Sequence, residues 1–190
     1  MIFDLEIIEE IDDGSLSLRK VKKKDAEFYY TSLNEKNLIA YLSLGPLAAL
    51  ETAKSLIRKY LKFWDNYAQY NYVIELRELK IKRIGTVNLW NLNWRHNRGE
   101  IGIWIIPSCW NKGYGEKALN LIKDIGFIHL KLNRLEAHIA LENESSIRLF
   151  QKCGFKKEGI LKQYLKFDGK FQDALVLACL RNRNDQVKKI

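Results

Sequence analysis

The segment of this chain whose residue types and spacing best suit ligand binding is a junction between a strand and a helix. It contains two glycines and a lysine. In residues 101–116, IGIWIIPSCWNKGYGE, an apolar run typical of a strand ends at Pro107, and a loop with Lys112 leads through Gly113 and Gly115 into an amphipathic helix. The first turn of a helix has main-chain N–H groups without partners in the helix and lies at the positive end of the helix dipole. Glycine lets the main chain approach a ligand closely. We therefore expect this junction to hold the phosphates of a cofactor.

Two common phosphate motifs are absent from this junction. GxGxxG is incomplete because Ala118 stands where its third glycine would be, and the loop GxxxxGK followed by Ser or Thr does not occur. A dinucleotide-binding fold is therefore disfavoured. For the GxG alone, a tight strand-to-helix turn without a ligand remains an alternative.

A second polar segment, NESSIRLFQKCGF, covers residues 143–155. Asn143 can cap a short helix, and Arg148 and Lys152, four residues apart, share one face as a cationic strip. Taken singly, a plain N-cap and a solvated helix face are the alternatives. Gly154 follows as a left-handed helix terminator.

Together the two segments resemble the GNAT (Gcn5-related) N-acetyltransferases and are most similar to the branch that acetylates the N-termini of ribosomal proteins. The family's loop pattern, Q/R-x-x-G-x-G/A, falls on residues 110–115, with Trp110 at its first position. The resemblance is strongest over residues 84–180. It implies an α+β layered fold with a mixed, mostly antiparallel, twisted sheet flanked by helices. Acetyl-CoA would lie in a V-shaped gap between splayed strands at residues 100–106 and 134–141.

The resemblance also implies which residues hold acetyl-CoA. The pantetheine arm would bond to the main chain at Ile103, Trp104 and Ile105 and contact Asn143. The pyrophosphate would accept N–H groups of Trp110, Asn111, Lys112, Gly113, Tyr114, Gly115 and Glu116, and Arg148 or Lys152 would meet the adenosine phosphates.

Acetyl transfer to an amine needs a group that removes the amine's proton. Glu100 matches the position of the family's glutamate base, and strand alternation places it with Gly102 and Trp104 on one face. A solvent-facing carboxylate at a strand end is the alternative. His138, on the adjacent strand, is a second candidate base, with a packed or exposed sheet residue as its alternative.

Departure of the coenzyme A thiolate calls for a proton donor. The family's usual tyrosine is replaced here by Phe150, which cannot donate, so Ser146 is the candidate acid. Helix capping is the alternative role for Ser146. Release with no dedicated acid also stays open.

Hydrophobic periodicity predicts the elements that position these residues. It predicts strands at 15–21, 71–76, 84–90, 100–106 and 134–141, and a hairpin of 159–167 and 170–180 around Asp168-Gly169. Helices are predicted from Asp25, which can cap the first of them, to about Asn34, after Pro46, after Gly113, and over 143–152. With 190 residues, 47% of them hydrophobic, and no linker, the chain is predicted to be a single domain over 1–190.

Composition restricts the partners. No apolar run is long enough for a bilayer, and the acidic N-terminus argues against export, so we expect a cytoplasmic enzyme without a membrane contact. Three widely spaced cysteines and three histidines argue for free thiols and against a metal site. The net charge of +9 favours anionic ligands, but residues 22–24 are predicted to be solvated surface, and no direct nucleic-acid binding is expected.

The acceptor is expected to be a primary amine, with the N-terminus of a ribosomal or other protein as first candidate. The alternatives are a small-molecule amine (an antibiotic, amino acid or polyamine) and a coenzyme A-binding module without turnover. The loop 34–45 with Tyr41, the turn with Trp90 and Trp94, and the hairpin tip 163–172 are predicted to wall the site. The oligomeric state, a homodimer included, stays open.

Overall fold

A sheet of eight strands organises residues 7–78 and 80–182, the part of the chain described by the computed structural model. The strand order is β1-β2-β3-β4-β5-β6-β8-β7, and only β5 and β6 are parallel neighbours. The strands are β1 (Glu10–Asp12), β2 (Leu16–Lys20), β3 (Tyr70–Leu76), β4 (Lys82–Asn93), β5 (Arg98–Ile105), β6 (Arg134–Ala140), β7 (Lys156–Phe167) and β8 (Lys170–Leu180).

Helices cover both faces of this sheet. They are α1 (Ala26–Ser32), α2 (Lys36–Ile39), α3 (Leu50–Asp65), α4 (Tyr114–Asp124) and α5 (Glu144–Lys152). Short 3₁₀ turns precede α1 and follow β5, and a π-helical turn, Ile125–His129, extends α4. The predicted α+β class and mostly antiparallel sheet are confirmed. Among the described helices, none has the length and apolar character needed to cross a membrane.

Two hydrophobic clusters hold the layers together. One lies between the sheet and helices α4 and α5, and the other lies between the opposite face and helices α1 to α3. In the second cluster Trp104 of β5 stacks on Phe28 at 5.6 Å and meets Tyr29 edge-on at 5.7 Å between ring centroids. Helix α1 is thereby fixed to the strand that carries Glu100.

The first helix differs from its prediction in one respect. Asp25 makes no side-chain cap hydrogen bond to α1, so its predicted role as the cap is wrong. Its buried carboxylate instead accepts two hydrogen bonds from Arg19, at 2.8 and 2.7 Å, and one from the Lys22 N–H at 2.7 Å. Arg19 also pairs with Glu75 of β3 at 2.7 Å. This network joins β2, β3 and the start of α1.

Other differences are small. The short strand β1 and the one-turn helix α2 were not predicted, and the long helix α3 begins at Leu50 rather than beside Pro46. Both missed elements are three or four residues long, below the length at which periodicity is informative. Cys109, Cys153 and Cys179 form no disulfide.

We expect Asp25→Asn to lower the free energy of unfolding by about 3 kcal/mol at pH 7, because the substitution leaves the Arg19 charge buried with one partner fewer. Burial alone would raise the pKa of Asp25, but hydrogen bonds from Arg19 and Lys22 and the charges of Arg19 and Arg83 lower it. Its stabilisation is therefore present above the unfolded pKa of about 3.9 and is lost as pH falls through the lower folded pKa. Urea unfolding between pH 7 and 3 measures both effects.

Glu51→Gln is the matched control. Glu51 pairs with Lys54 and Arg58 at 3.3 and 3.2 Å on the exposed face of α3, where solvent screens such pairs and they contribute little to stability. Equal losses in the two variants would show that the Arg19–Asp25 pair does not stabilise the fold.

Candidate active site

Strands β5 and β6 separate soon after they begin to pair. Their parallel pairing covers residues 98–100 and 134–136, while β5 continues to Ile105 and β6 to Ala140. The other edge of β5 stays paired with β4 as far as Gly85. A V-shaped gap therefore opens toward the carboxyl ends of β5 and β6, as the resemblance implies.

The edge of β5 that faces this gap carries main-chain groups that no strand pairs with. The Ile106 N–H bonds to the Ile84 carbonyl of β4 at 2.8 Å, and antiparallel alternation then turns the polar groups of Ile103 and Ile105 into the gap. The same alternation turns those of Trp104 toward β4. Of the three predicted contacts at this edge, Trp104 is therefore not placed to bond there through its main chain.

Unpaired N–H groups also collect in the loop that follows β5. No described residue accepts a hydrogen bond from the main-chain N–H groups of residues 111–116, and α4 has no capping side chain. Trp110 departs from the expected pattern, because its N–H donates to the Pro107 carbonyl at 3.1 Å and its indole Nε1 donates to the Ile105 carbonyl at 2.6 Å. Its side chain thus anchors the loop to the end of β5.

The two glycines of the loop have different roles. Gly113 is the residue before α4 and has φ = +80°, a conformation that favours glycine, and a Cβ there would meet no atom within 4 Å. Gly115 lies inside the helix, where a Cβ would stand 2.8 Å from Cδ2 of Leu149. The sequence pattern suggests phosphate approach for both, whereas in the structure Gly115 lets α4 pack closely on α5.

The predicted cations lie on exposed surface near this loop. Lys152 pairs with Glu116, in the first turn of α4, at 2.6 Å, which raises the pKa of Lys152. Arg148 turns back to Glu144 at 2.8 Å, and Lys112 donates to a carbonyl within its own loop. Exposed pairs of this kind contribute little, so Lys152 can exchange its partner for a phosphate at small cost.

Helix α5 places Asn143 and Ser146 just beyond β6. The Asn143 side chain accepts the Ser146 N–H at 3.2 Å and so caps the helix. No described residue bonds to the Ser146 hydroxyl. Phe150, at the family's tyrosine position, is 2% exposed and packs edge-on against Phe155, with ring centroids 5.0 Å apart.

Glu100 and His138 form a buried pair at the closed end of the gap. Glu100 is only 5% exposed, which excludes the solvent-facing alternative. His138 Nδ1 lies 3.3 Å from Glu100 Oε1 but is too poorly aligned for a full hydrogen bond, and Asn91 donates to Oε2 at 3.4 Å. The interaction with Glu100 outweighs burial and raises the pKa of His138.

The second carboxylate near His138, that of Glu136, has arginine partners. His138 Nε2 lies 3.7 Å from Glu136 Oε2, and the same carboxylate binds Arg134 and lies 3.5 Å from Arg98. The ring of Tyr164 stands at 85° to the imidazole, with centroids 5.0 Å apart. Within the described chain, no group of three or more acidic, histidine or cysteine residues is arranged to hold a metal ion.

Two of the three predicted walls meet at one cavity of about 360 Å³. Lys36 and neighbouring residues of the loop 34–45 line one side, and Lys166 and Asp168 of the hairpin tip line the other. Trp94 belongs elsewhere, since its indole donates to the Tyr67 carbonyl beyond α3 at 3.1 Å. Trp90, the register partner of Glu100, is 40% exposed beside the site.

Sequence reasoning missed three neighbours of the Glu100–His138 pair: Asn91, Glu136 and Tyr164. Glu136 could have been identified from the sequence, because it stands two residues before His138 on a strand and therefore lies on the same face of the sheet. Asn91 has φ = +48°, and Tyr164 lies within a β-bulge, neither of which alternation reveals.

Comparisons with known proteins agree with this geometry. Residues 15–156 match the family model described as an acetyltransferase (GNAT) domain. The uncharacterized N-acetyltransferase YoaA of Bacillus subtilis is 31% identical over 173 residues, 91% of this chain and 97% of the relative. A spermidine N(1)-acetyltransferase of Vibrio cholerae is 28% identical over 90% of this chain and 96% of the relative.

Solved structures show the same likeness. Spermidine N-acetyltransferase from Vibrio cholerae in complex with CoA and spermine has a TM-score of 0.79 at 28% identity, covering 89% of this chain and 97% of that chain. RimJ of Mycobacterium smegmatis in complex with CoA-disulfide has a TM-score of 0.81 over 92% of this chain and 84% of that chain. At 24% identity, RimJ shows similarity of fold alone.

We expect Gly113→Ala to weaken coenzyme A binding at least tenfold in a calorimetric titration, because a Cβ at this position would stand beside the free N–H groups. Gly154→Ala is the matched control. Gly154 has φ = +89° and equally open surroundings, but it follows α5, so the same backbone strain arises away from the loop. Similar stability losses with an affinity loss only in Gly113→Ala are expected, and equal affinities would contradict the role of this loop.

Proposed function

The chain belongs to the GNAT acetyltransferase family and is an acetyl-CoA-dependent N-acetyltransferase, and we propose that its acceptor is the N-terminal amine of a protein. The observation that carries this proposal is the pairing of charge in the site. Glu136 is paired with Arg98 and Arg134, whereas Glu100 faces His138, which carries no charge in the active form. A site of this kind suits an acceptor with one positive charge.

A polyamine carries several ammonium groups, so its binding requires several carboxylates that are not already paired with cations. The cavity where the loop 34–45 meets the hairpin tip has Lys36 and Lys166 against a single Asp168 in its lining. The two lysines that line this cavity repel a polycation. Charge therefore favours a monoamine.

The floor of the cleft also suits a peptide. Asn88 accepts the Gly102 N–H at 3.1 Å, and its amide NH₂ has no acceptor among the described residues. Gly102 and Glu100 share this face of β5. A peptide offers carbonyl oxygens to such a donor, whereas a protonated polyamine offers only donors.

Residues around the gap fit acetyl-CoA. The free N–H groups of residues 111–116 suit its pyrophosphate, and the main-chain groups of Ile103 and the N–H of Ile105 at the edge of β5 suit its pantetheine amides. Lys152 lies beside the same loop and suits a further phosphate. Acetyl-CoA supplies an acetyl group activated as a thioester.

The chain's own part in the transfer is to move protons. The acceptor arrives as an ammonium ion, and the Glu100–His138 pair takes its proton, with the charge of Glu100 stabilising the imidazolium that forms. Burial of both side chains limits competition from water. The Ser146 hydroxyl, in the first turn of α5, is the candidate donor for the leaving thiolate.

Glu100→Gln tests this base. Because neutral His138 is the active form, activity rises with pH through the pKa of His138, which Glu100 raises. The substitution lowers that pKa, so the acidic limb of the kcat/KM profile moves to lower pH, while kcat falls at least tenfold because the imidazolium loses its partner. Affinity for acetyl-CoA stays unchanged.

Glu136→Gln is the comparison variant, since Glu136 faces the other nitrogen of the same imidazole at 3.7 Å but is neutralised by two arginines. Its effect on kcat is expected to be smaller. If Glu136→Gln is the more damaging change, or if Glu100→Gln leaves the pH profile in place, Glu100 is not part of the base.

A polyamine is the second candidate acceptor, and the 28% identity to a spermidine N(1)-acetyltransferase over nearly the whole chain favours it. The two candidates differ in what the enzyme must recognise. A polyamine presents several charges along a flexible chain, whereas a peptide presents one amine followed by carbonyl groups.

Rates with matched acceptors separate the two candidates. Short peptides with free N-termini are compared with the same peptides blocked at the N-terminus but retaining a lysine, and with spermidine. We expect kcat/KM for the free peptides to exceed that for the blocked peptides and for spermidine at least tenfold. A higher value for spermidine would reverse the assignment.

A further inference from the structure

An irregular stretch of the outer strand faces the Glu100–His138 pair. The pairing of β7 with β8 shifts between Leu161 and Leu165, which leaves residues 162–164 opposite Asp173 alone. Gln163, in the middle, has φ = +51°. Such bulges bend a strand and redirect its side chains.

Asp173 holds this bulge in place. One carboxylate oxygen accepts the Gln163 N–H at 2.9 Å, and the other accepts Lys162 Nζ at 2.7 Å. The main-chain carbonyl of Asp173 also accepts the Leu141 N–H, just beyond β6, at 3.3 Å. The bulge is thereby tied to the strand that carries His138.

Tyr164 reaches His138 although β8 separates their strands. The neighbouring positions on this face are Ala140 of β6 and its partner Ala174 of β8, and such small side chains leave room for a ring to cross. The tyrosine is 49% exposed, so one part of the ring covers the imidazole while the rest faces outward.

We propose that Tyr164 is a positioning residue for acetyl transfer: the bulge at residues 162–164 turns its ring over β8 onto His138, and the ring holds the imidazole against Glu100. This inference rests on the proposed role of the Glu100–His138 pair. An edge-to-face contact restricts rotation of the imidazole and excludes water from one side of it. Neither effect requires the tyrosine hydroxyl.

The charged groups around His138 determine how removal of the Tyr164 ring would change the pKa of His138. Glu100 faces the imidazole from β5, Glu136 faces it from β6 with Arg98 behind, and Tyr164 covers it from β7. Its partner on β8 is the apolar Val176. Without the ring, water screens Glu100 and the imidazole turns more freely, which lowers the pKa of His138, while the relief of burial raises it. The interaction with Glu100 is the larger of the two effects, so the pKa moves down toward its ordinary value.

The test compares Tyr164→Ala with Tyr164→Phe. Nuclear magnetic resonance titration of the imidazole C–H signals follows each of the chain's three histidines, and His138→Gln identifies the relevant one. In Tyr164→Ala we expect the His138 titration and the acidic limb of kcat to move down by about half a pH unit or more. We also expect kcat to fall roughly tenfold, with KM for acetyl-CoA unchanged.

Tyr164→Phe keeps the ring and is expected to restore both the titration and the rate. If the phenylalanine variant is as impaired as the alanine variant, the hydroxyl acts instead and the proposal is overturned. An unchanged His138 titration in Tyr164→Ala overturns it as well. Because the titration needs no acceptor, its result can be interpreted even if the peptide assay detects no transfer.

Asp173→Ala tests the bulge itself. Loss of both side-chain contacts is expected to loosen residues 162–164 and to reproduce the titration shift of Tyr164→Ala. A wild-type titration in this variant would show that Asp173 does not place the ring.

Discussion

The separation of β5 from β6 is the constraint on which the site depends. Two parallel neighbours that part after three paired residues leave main-chain N–H and C=O groups without partners along the interior of a sheet. Unpaired groups of this kind are costly unless a ligand or water satisfies them. The gap is therefore both an interruption of the sheet and a candidate binding surface. At its closed end Glu100 lies opposite Glu136, and His138 is the next residue of β6 on the same face.

Charge is arranged differently in the site and over the whole molecule. The chain carries a net charge of +9, which suits anionic ligands, yet near His138 the carboxylate of Glu136 is already matched by arginines and Glu100 faces the imidazole itself. The net charge therefore accounts for the attraction of the anionic coenzyme A rather than for the choice of acceptor. The latter depends on a few residues whose pairing only the fold reveals.

Much of the fold was predictable because period-2 and period-3.6 patterns record which face is buried. Seven strands and the main helices follow this signal closely. The gap between β5 and β6 was implied only by the resemblance, since periodicity contains no information about where two strands part. The Arg19–Asp25 pair was missed because a charged residue near a helix start resembles a cap, and its burial comes from tertiary packing. Tyr164 was missed for a related reason: a bulge alters the alternation from which its direction would be read.

The close contact at Gly115 has a mechanical consequence. With only a hydrogen between the main chain of α4 and the Leu149 side chain, the two helices are packed too tightly to slide independently. The turn that presents the free N–H groups and the helix that carries Ser146 should therefore shift as one rigid unit. Any movement of this turn would then displace Ser146 as well, which keeps the spacing between the free N–H groups and the serine constant.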